Sequence, residues 1–539
     1  MRIDAMHMKN ESQLIADYKN GKEIRKFFDY DPFKSFGVRA EELKMRQFKR
    51  NELAPILEEC NTRWGAGEET LKQIEKLKNP DSVVVVGGQQ AGLLTGPLYT
   101  INKVISIIQL AREQEEILGT PVLPVFWIAG EDHDYEEINH VFLPEKQRLK
   151  KFKFNQSHYK KKPISEIKLD KSLAEKWINE LFSTLEETIH TKEIYNMILK
   201  AIHDSESFTD FFATLIHRLF EKEGLILLDA ADKRVRKIEN DYFIRLIENQ
   251  PKISEGVTQA SKELANMDYT TSLEDLDPSD GHLFYHQDEE RILLKRTEEG
   301  DWIGKQEEIN LSTEELLKIA NEQPEKLSNN VVTRPIMQEL LLPTLAFIGG
   351  PGEIGYWSIL KPAFHSLDLK MPPVVPRLSF TFIPERTKKA LVATGISLET
   401  ALHHGSADEK EKWLLSKQQP PITQLADDLK KVIEQAHQPI RRVAEDIRDD
   451  IGALAEKNLF YLHREIDYLT NRMEQALEEK YEKEISQFEL IQMMLNPEGG
   501  LQERTWSVLP FLNEYGTEFI SKLARSSCSF KNQHYIVEL

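Results

Sequence analysis

The run SVVVVGG at residues 82–88 constrains the chain more than any other segment. Four consecutive β-branched apolar residues closed by two glycines suit a strand buried on both faces, which is the condition of a parallel sheet. GPLYTINKVISIIQLAREQEEIL (96–118) then places apolar residues at helical spacing, with Pro97 where a first turn tolerates it. PVLPVFWIAG (121–130) closes a β-α-β unit. The pattern returns in GLILLDAADKRVRKIENDYF (224–243) and LLPTLAFIGGPGEIGYWSILKPAF (341–364). Strands alternating with helices predict an α/β fold, a parallel sheet with helices on both faces.

A chain of 539 residues exceeds what one core carries, so several domains are expected. Residues 1–80 read as a polar helical segment with apolar positions three or four apart. The core spans 81–380, interrupted at about 146–205 and 251–335. In the second interruption HLFYHQDEERILLKR reads as a hairpin, and Ser312 with Glu315 forms a capping box. From 384 to 490 strand signals vanish. Val443, Ile447, Ile451, Leu454, Leu462, Ile466, Leu469, Met473 and Leu477 form an apolar stripe between dense charges. That pattern fits a coiled coil serving dimerisation, or an antiparallel helical hairpin within the chain. Residues 491–539 remain as a C-terminal segment.

No run approaches the roughly 18–20 apolar residues of a membrane span, and the charged first twenty residues do not read as a signal peptide. Two cysteines, Cys60 and Cys528, cannot staple a secreted fold, and neither has a histidine near it in sequence. A soluble cytoplasmic protein with inert thiols and no membrane partner is expected. Acids outnumber bases 89 to 70, for a net charge of −19, which disfavours nucleic acid as a partner. The most basic stretch, KQRLKKFKF and HYKKKP within 146–163, reads as a solvated insertion surface.

Ligands of an open parallel sheet bind beyond the carboxyl ends of its strands, where the strand order reverses. Three loops fall at such ends. The first, GGQQAGLLTGPLYTINK (87–103), combines glycines that admit a ligand with a helix N-terminus that favours anions. Its candidates are Gly88, Gln89, Gln90, Thr95, Gly96, Tyr99 and Asn102. Gly87 and Gly92 have the spacing of a phosphate loop, but Leu93 and Leu94 replace the required Lys and Ser/Thr. TGPLYTIN (95–102) is similar instead to the PTGxLHIGH region of class I aminoacyl-tRNA synthetases and nucleotidyltransferases. Tyr99 and Asn102 stand where those enzymes carry histidines, and Lys103 is the nearest cation.

The second loop, WIAGEDHDYE (127–136), supplies Trp127, Glu131, Asp132, His133 and Asp134. His133 could be a general base held by Asp132 or Asp134. Those aspartates could instead hold magnesium beside ATP phosphates, or the loop could be a solvated acidic turn. Nothing here spells a structural zinc site. The third loop, GGPGEIGYW (349–357), formally contains GxGxxG, yet Pro351 inside it argues against a dinucleotide fingerprint. Glu353, Tyr356 and Trp357 are expected to face substrate. Arg377, in VVPRLSF, is expected to grip a substrate carboxylate as a fork, with an ordinary surface arginine as the alternative.

Taken together and in this order, the three motifs resemble the BshC family, the cysteine ligases of bacillithiol biosynthesis, over essentially the whole chain. The resemblance implies a Rossmann-like core of the class I nucleotidyltransferase and synthetase kind. It also implies two connecting-peptide insertions and a C-terminal coiled-coil domain used for homodimerisation. The implied reaction joins L-cysteine through its carboxyl group to the amine of glucosaminyl-malate. Amide formation from a free carboxylate is uphill in water, so an adenine nucleotide, ATP with Mg2+, is expected to activate it. Loop 87–103 would then take anionic groups of ATP or of the malyl moiety, and His133 or a neighbouring carboxylate would take the amine proton. Two other readings stand beside this one: an adenylate-forming enzyme acting on another substrate such as tRNA, and a non-catalytic scaffold whose core senses a ligand.

Overall fold

The computed structural model describes all residues except 9–10, 158–161, 272, 274–275, 288–289, 305–307, 419 and 533. Val83, Val84, Val85 and Val86 are all buried in strand β1 (Val83–Gln89), as a run without polar residues demands. Helix α1 (Leu98–Leu118) follows and ends at Gly119, whose left-handed conformation suits glycine. Then come β2 (Val122–Ile128), β3 (Ile226–Asp229), β4 (Thr344–Gly349), the short helix α2 (Pro351–Trp357) and β5 (Val374–Pro376). The sheet order is β5-β4-β1-β2-β3, every pairing parallel. After β1 the chain moves outward through β2 and β3, then returns to the other side of β1 for β4. The order therefore reverses between β1 and β4, and a crevice opens beyond their carboxyl ends. Val84 and Val86 share one core with Leu53, Leu57 and Ile74 of the N-terminal helices.

Three expectations about boundaries need correction. Residues 1–80 are not helical throughout, because Arg2–Met6 is a strand paired antiparallel with His534–Glu538. The second insertion does not begin at 251, because the helix Asn240–Ala265 runs through Pro251. Nor does the helical region end at 490. The helix Glu482–Leu495 crosses that position, and Met493, Met494 and Leu495 are consecutively buried there, which erases the amphipathic period. The second insertion is a five-stranded antiparallel sheet around the expected hairpin, Asp280–Gln287 and Glu290–Arg296; the hairpin's turn lies outside the described residues. Ser312 and Glu315 form the expected capping box. Of the basic stretch, Arg148–Lys153 is a strand with mostly exposed side chains, and residues 158–161 lie outside the described residues.

The chain divides into two units. The first holds residues 1–145, 149–382 and 502–539, so the final segment belongs with the parallel sheet. The second holds residues 146–148 and 383–501. In it α3 (Ile422–Ile447) and α4 (Asp449–Lys480) form an antiparallel hairpin. Arg441 meets Glu456 at 2.8 Å, His437 meets Asn458 at 3.0 Å, and Lys430 pairs with Asp467. Among the described residues no helix is long and apolar enough to cross a membrane.

Candidate active site

A cleft of about 440 Å³ lies beyond the carboxyl ends of β1, β2 and β4, a size suited to a small ligand. β1 delivers Gly88, Gln89 and Gln90 to its wall. Glycine is needed at 88, because a Cβ there would stand 2.7 Å from the Trp127 carbonyl oxygen of β2. Lys103, in the second turn of α1, reaches back beneath the loop. Its Nζ donates to the Gly88 carbonyl at 2.6 Å, to Gln89 Oε1 at 3.0 Å and to Glu353. All three ammonium protons are thereby committed, and one side chain ties β1, α1 and the loop after β4 together. Burial pushes the Lys103 pKa below its ordinary value, and Glu353 opposes that shift. Glu353 also accepts from the Gly350 N–H at 2.8 Å.

Arginines crowd the same cleft. Arg377 lines it, but its fork is not available for substrate: Nη1 and Nη2 both donate to the Glu503 carboxylate. This corrects the expectation of a substrate clamp. Arg334 donates from Nη2 to the Tyr356 hydroxyl at 2.7 Å, while its buried Nη1 has no hydrogen-bond partner among the described residues. Arg504 lines the cleft exposed and without a hydrogen bond or ion pair among the described residues. Sequence reasoning missed both of these arginines, and Glu503 with them. No local pattern marks LQERTW (501–506), which meets the sheet only through the tertiary fold.

The acidic wall comes from the loop after β2. Gln90 Nε2 donates to Asp132 Oδ2 at 2.7 Å and to Glu137 Oε2 at 2.9 Å, and both carboxylates line the cleft. Glu137 was not foreseen, since it falls one turn past the charged tetrad. His133 does not line the cleft. Arg291, from the insertion hairpin, stacks 3.7 Å over Phe284 and places Nη1 3.3 Å from His133 Nδ1 and 3.5 Å from Asp132 Oδ1. Donor atoms of Asp132, His133 and Asp134 lie within 4.8 Å of one another, a spacing open to a metal ion. The guanidinium of Arg291 already stands at that cluster as a fixed cation. The set therefore does not fit magnesium.

Several expected ligand-binding residues are engaged elsewhere or do not line the cleft. Asn102 is buried and donates to Glu503 at 2.6 Å. Leu94, Thr95 and Gly96 all have positive φ, and Thr95 is buried in that turn. The Leu98 N–H donates to the Trp506 carbonyl at 2.8 Å, so the final segment covers the start of α1 that was expected to greet an anion. Glu131 forms a buried ion pair with Arg236. Trp357 stacks on Phe347 with ring centroids 4.3 Å apart, inside the core. Asp134 is exposed and outside the cleft. Gly88, Gln89, Gln90, Tyr99, Lys103, Trp127, Asp132, Glu353, Tyr356 and Arg377 are the expected residues that the fold does gather around the cleft.

Residues 1–378 match the family model "Bacillithiol biosynthesis BshC, N-terminal Rossmann-like domain", and residues 380–539 match "Bacillithiol biosynthesis BshC, C-terminal coiled-coil domain". The chain belongs to the BshC family. A relative from Oceanobacillus iheyensis is 39% identical over 544 aligned positions, covering 100% of both chains. One from Bacillus licheniformis is 40% identical over 542 positions, again covering 100% of both. Each bears the name "Putative cysteine ligase BshC". The first match covers the parallel sheet with its insertions, and the second covers the long helical hairpin together with residues 502–539, which pack with the sheet.

Proposed function

We propose that the chain is a cysteine ligase that joins the carboxyl group of L-cysteine to the amine of glucosaminyl-malate, using ATP to activate the carboxylate. The observation that carries this reading is the opposed charge of one cleft. Asp132 and Glu137 supply a wall for an ammonium group, while Arg504 and Arg334 supply cations for carboxylates. Glucosaminyl-malate carries one amine and two carboxylates, which matches that division. Arg504 and Arg334 fit phosphate oxygens as well, so they are also the residues to hold the anionic part of ATP. ATP, when bound, supplies the leaving group that makes the cysteine carboxyl carbon electrophilic. A magnesium ion accompanying it finds no fit at Asp132–His133–Asp134, where Arg291 stands.

The chain's own residues bind, orient and shape. Lys103 fixes the loops after β1 and β4 relative to one another, and the Arg377–Glu503 pair fixes the final segment that carries Arg504. We also propose a cytoplasmic homodimer. After the hairpin has formed, Leu425, Leu429, Val432, Ile440, Val443 and Ile447 remain 49–68% exposed along α3 at heptad spacing. A second copy of the chain would cover such a stripe.

The test compares ligation of cysteine to glucosaminyl-malate and to glucosamine. Loss of the malyl group is expected to raise KM at least tenfold, and Arg504→Ala is expected to shrink that preference. Equal use of both amines by the wild-type protein would remove the arginine wall from the account.

A further inference from the structure

We infer that Glu137, not His133, takes the proton from the attacking amine; this rests on the ligase reading above. Among the described residues Asp132, Glu137 and Glu353 are the carboxylates that line the cleft and His133 stands beside Asp132; their hydrogen bonds separate them. Glu353 is salt-bridged to Lys103 and also holds the Gly350 N–H. Asp132 has both oxygens engaged. Oδ2 accepts from Gln90 at 2.7 Å, while Oδ1 accepts from the His133 N–H at 2.8 Å and faces Arg291 at 3.5 Å.

His133 is set aside by its tautomer and its position. Arginine can only donate, so Nδ1, 3.3 Å from Arg291 Nη1, is the accepting nitrogen of the ring. The neutral imidazole then carries its hydrogen on Nε2, which leaves that nitrogen no lone pair for a second proton. The ring also lies off the cleft, edge-on to Phe284 with centroids 6.3 Å apart.

Glu137 differs on each count. It lines the cleft, is exposed to it, and makes no ion pair among the described residues. The one hydrogen bond of its carboxylate among the described residues comes from a neutral amide, Gln90, at 2.9 Å to Oε2. Oε1 makes none among the described residues. The same Gln90 amide group spans Asp132 and Glu137, so it fixes Glu137 against the acidic wall where an ammonium would sit.

The step balances. The amine lone pair forms the C–N bond to the carbonyl carbon of a cysteine mixed anhydride, and the nitrogen becomes cationic. Its N–H bond breaks toward Glu137, where an O–H bond forms. The anhydride's leaving group departs with the electron pair of the broken C–O bond. A nitrogen already bonded to the acyl carbon is far more acidic than the free ammonium, so a carboxylate suffices.

The experiment uses the full-length protein with Glu137→Gln, Glu137→Asp and His133→Asn. Glu137→Gln is expected to lower kcat by about 10²-fold or more and to remove the acid limb of the pH–rate profile. Glu137→Asp is expected to recover part of the rate, and His133→Asn to keep kcat within about fivefold. A second reading needs no turnover: calorimetric binding of glucosaminyl-malate against its N-acetyl derivative. Wild type and His133→Asn are expected to prefer the free amine, and Glu137→Gln to lose that preference. A Glu137→Gln enzyme that keeps both its rate and its amine preference, or a His133→Asn enzyme that loses both, overturns the inference. A wild-type protein that makes no amide defeats the ligase reading, and the binding comparison still decides whether Glu137 meets the amine.

Discussion

Arg377 and Glu503, 126 residues apart in sequence, meet as a two-point fork, with Nη1 to Oε2 at 2.7 Å and Nη2 to Oε1 at 2.8 Å. Their side chains are only 7% and 4% exposed. Burial works to raise the Glu503 carboxyl, but Arg377 outweighs it and holds the pKa below the usual range. Glu503→Gln leaves a buried guanidinium without its counter-charge and is expected to cost about 3–5 kcal/mol in denaturant unfolding. A carboxyl with a depressed native pKa contributes stability above its unfolded pKa and loses it as pH falls through the native one. The difference between wild type and Glu503→Gln is therefore expected to be full at neutral pH and to shrink in acid.

Lys103→Met deprives the Gly88 carbonyl, Gln89 and Glu353 of their shared donor at once. A half-buried Glu353 left without its counter-charge and a loosened β1 loop are expected to lower the melting temperature and cut turnover at least tenfold. Thermal melts read alongside steady-state rates check this. An unchanged melt with normal turnover would contradict the tether.

Asp229 closes β3 behind the loop that carries Gly130, and burial pushes its pKa from an ordinary 3.8 up to about 6. The native state thus holds this proton more tightly than the unfolded chain. Stability is expected to fall as pH rises from about 4 to about 6 and to stay lower above it. Asparagine can keep the contacts with the Ala231 N–H at 3.0 Å and Ser165 Oγ at 2.7 Å. Asp229→Asn is expected to flatten the pH–stability curve in that window, a relative gain on the order of 2–3 kcal/mol at pH 7. Urea unfolding across pH measures it.

Leu429→Glu combined with Val443→Glu places charges on the exposed α3 stripe without touching the Lys430–Asp467 or Arg441–Glu456 bridges of the hairpin. The double variant is expected to run as a monomer by light scattering while its helical content stays constant. A dimer that survives would place the interface elsewhere.

How much was legible follows the range of the forces involved. β1 could be read because four valines in a row admit one environment, and α1 because its period is local. Lys103 stood out beside its glycine loop. Arg377 was visible as a residue, but its use was not, because Glu503 arrives from the far end of the chain. The strand Arg2–Met6 was invisible for the same reason, since its partner is His534–Glu538. His133 looked catalytic in a line of acids until Arg291 entered from an insertion. Trp357 looked like a ligand contact because its loop is polar, yet Phe347 claims its face.

The most direct test of the central claim is one incubation: purified protein, L-cysteine, glucosaminyl-malate and Mg-ATP, followed by mass spectrometry. The account predicts bacillithiol, formed in step with AMP or ADP and dependent on all three substrates. A folded protein that binds glucosaminyl-malate but forms no cysteinyl amide with ATP at saturating substrate would contradict it.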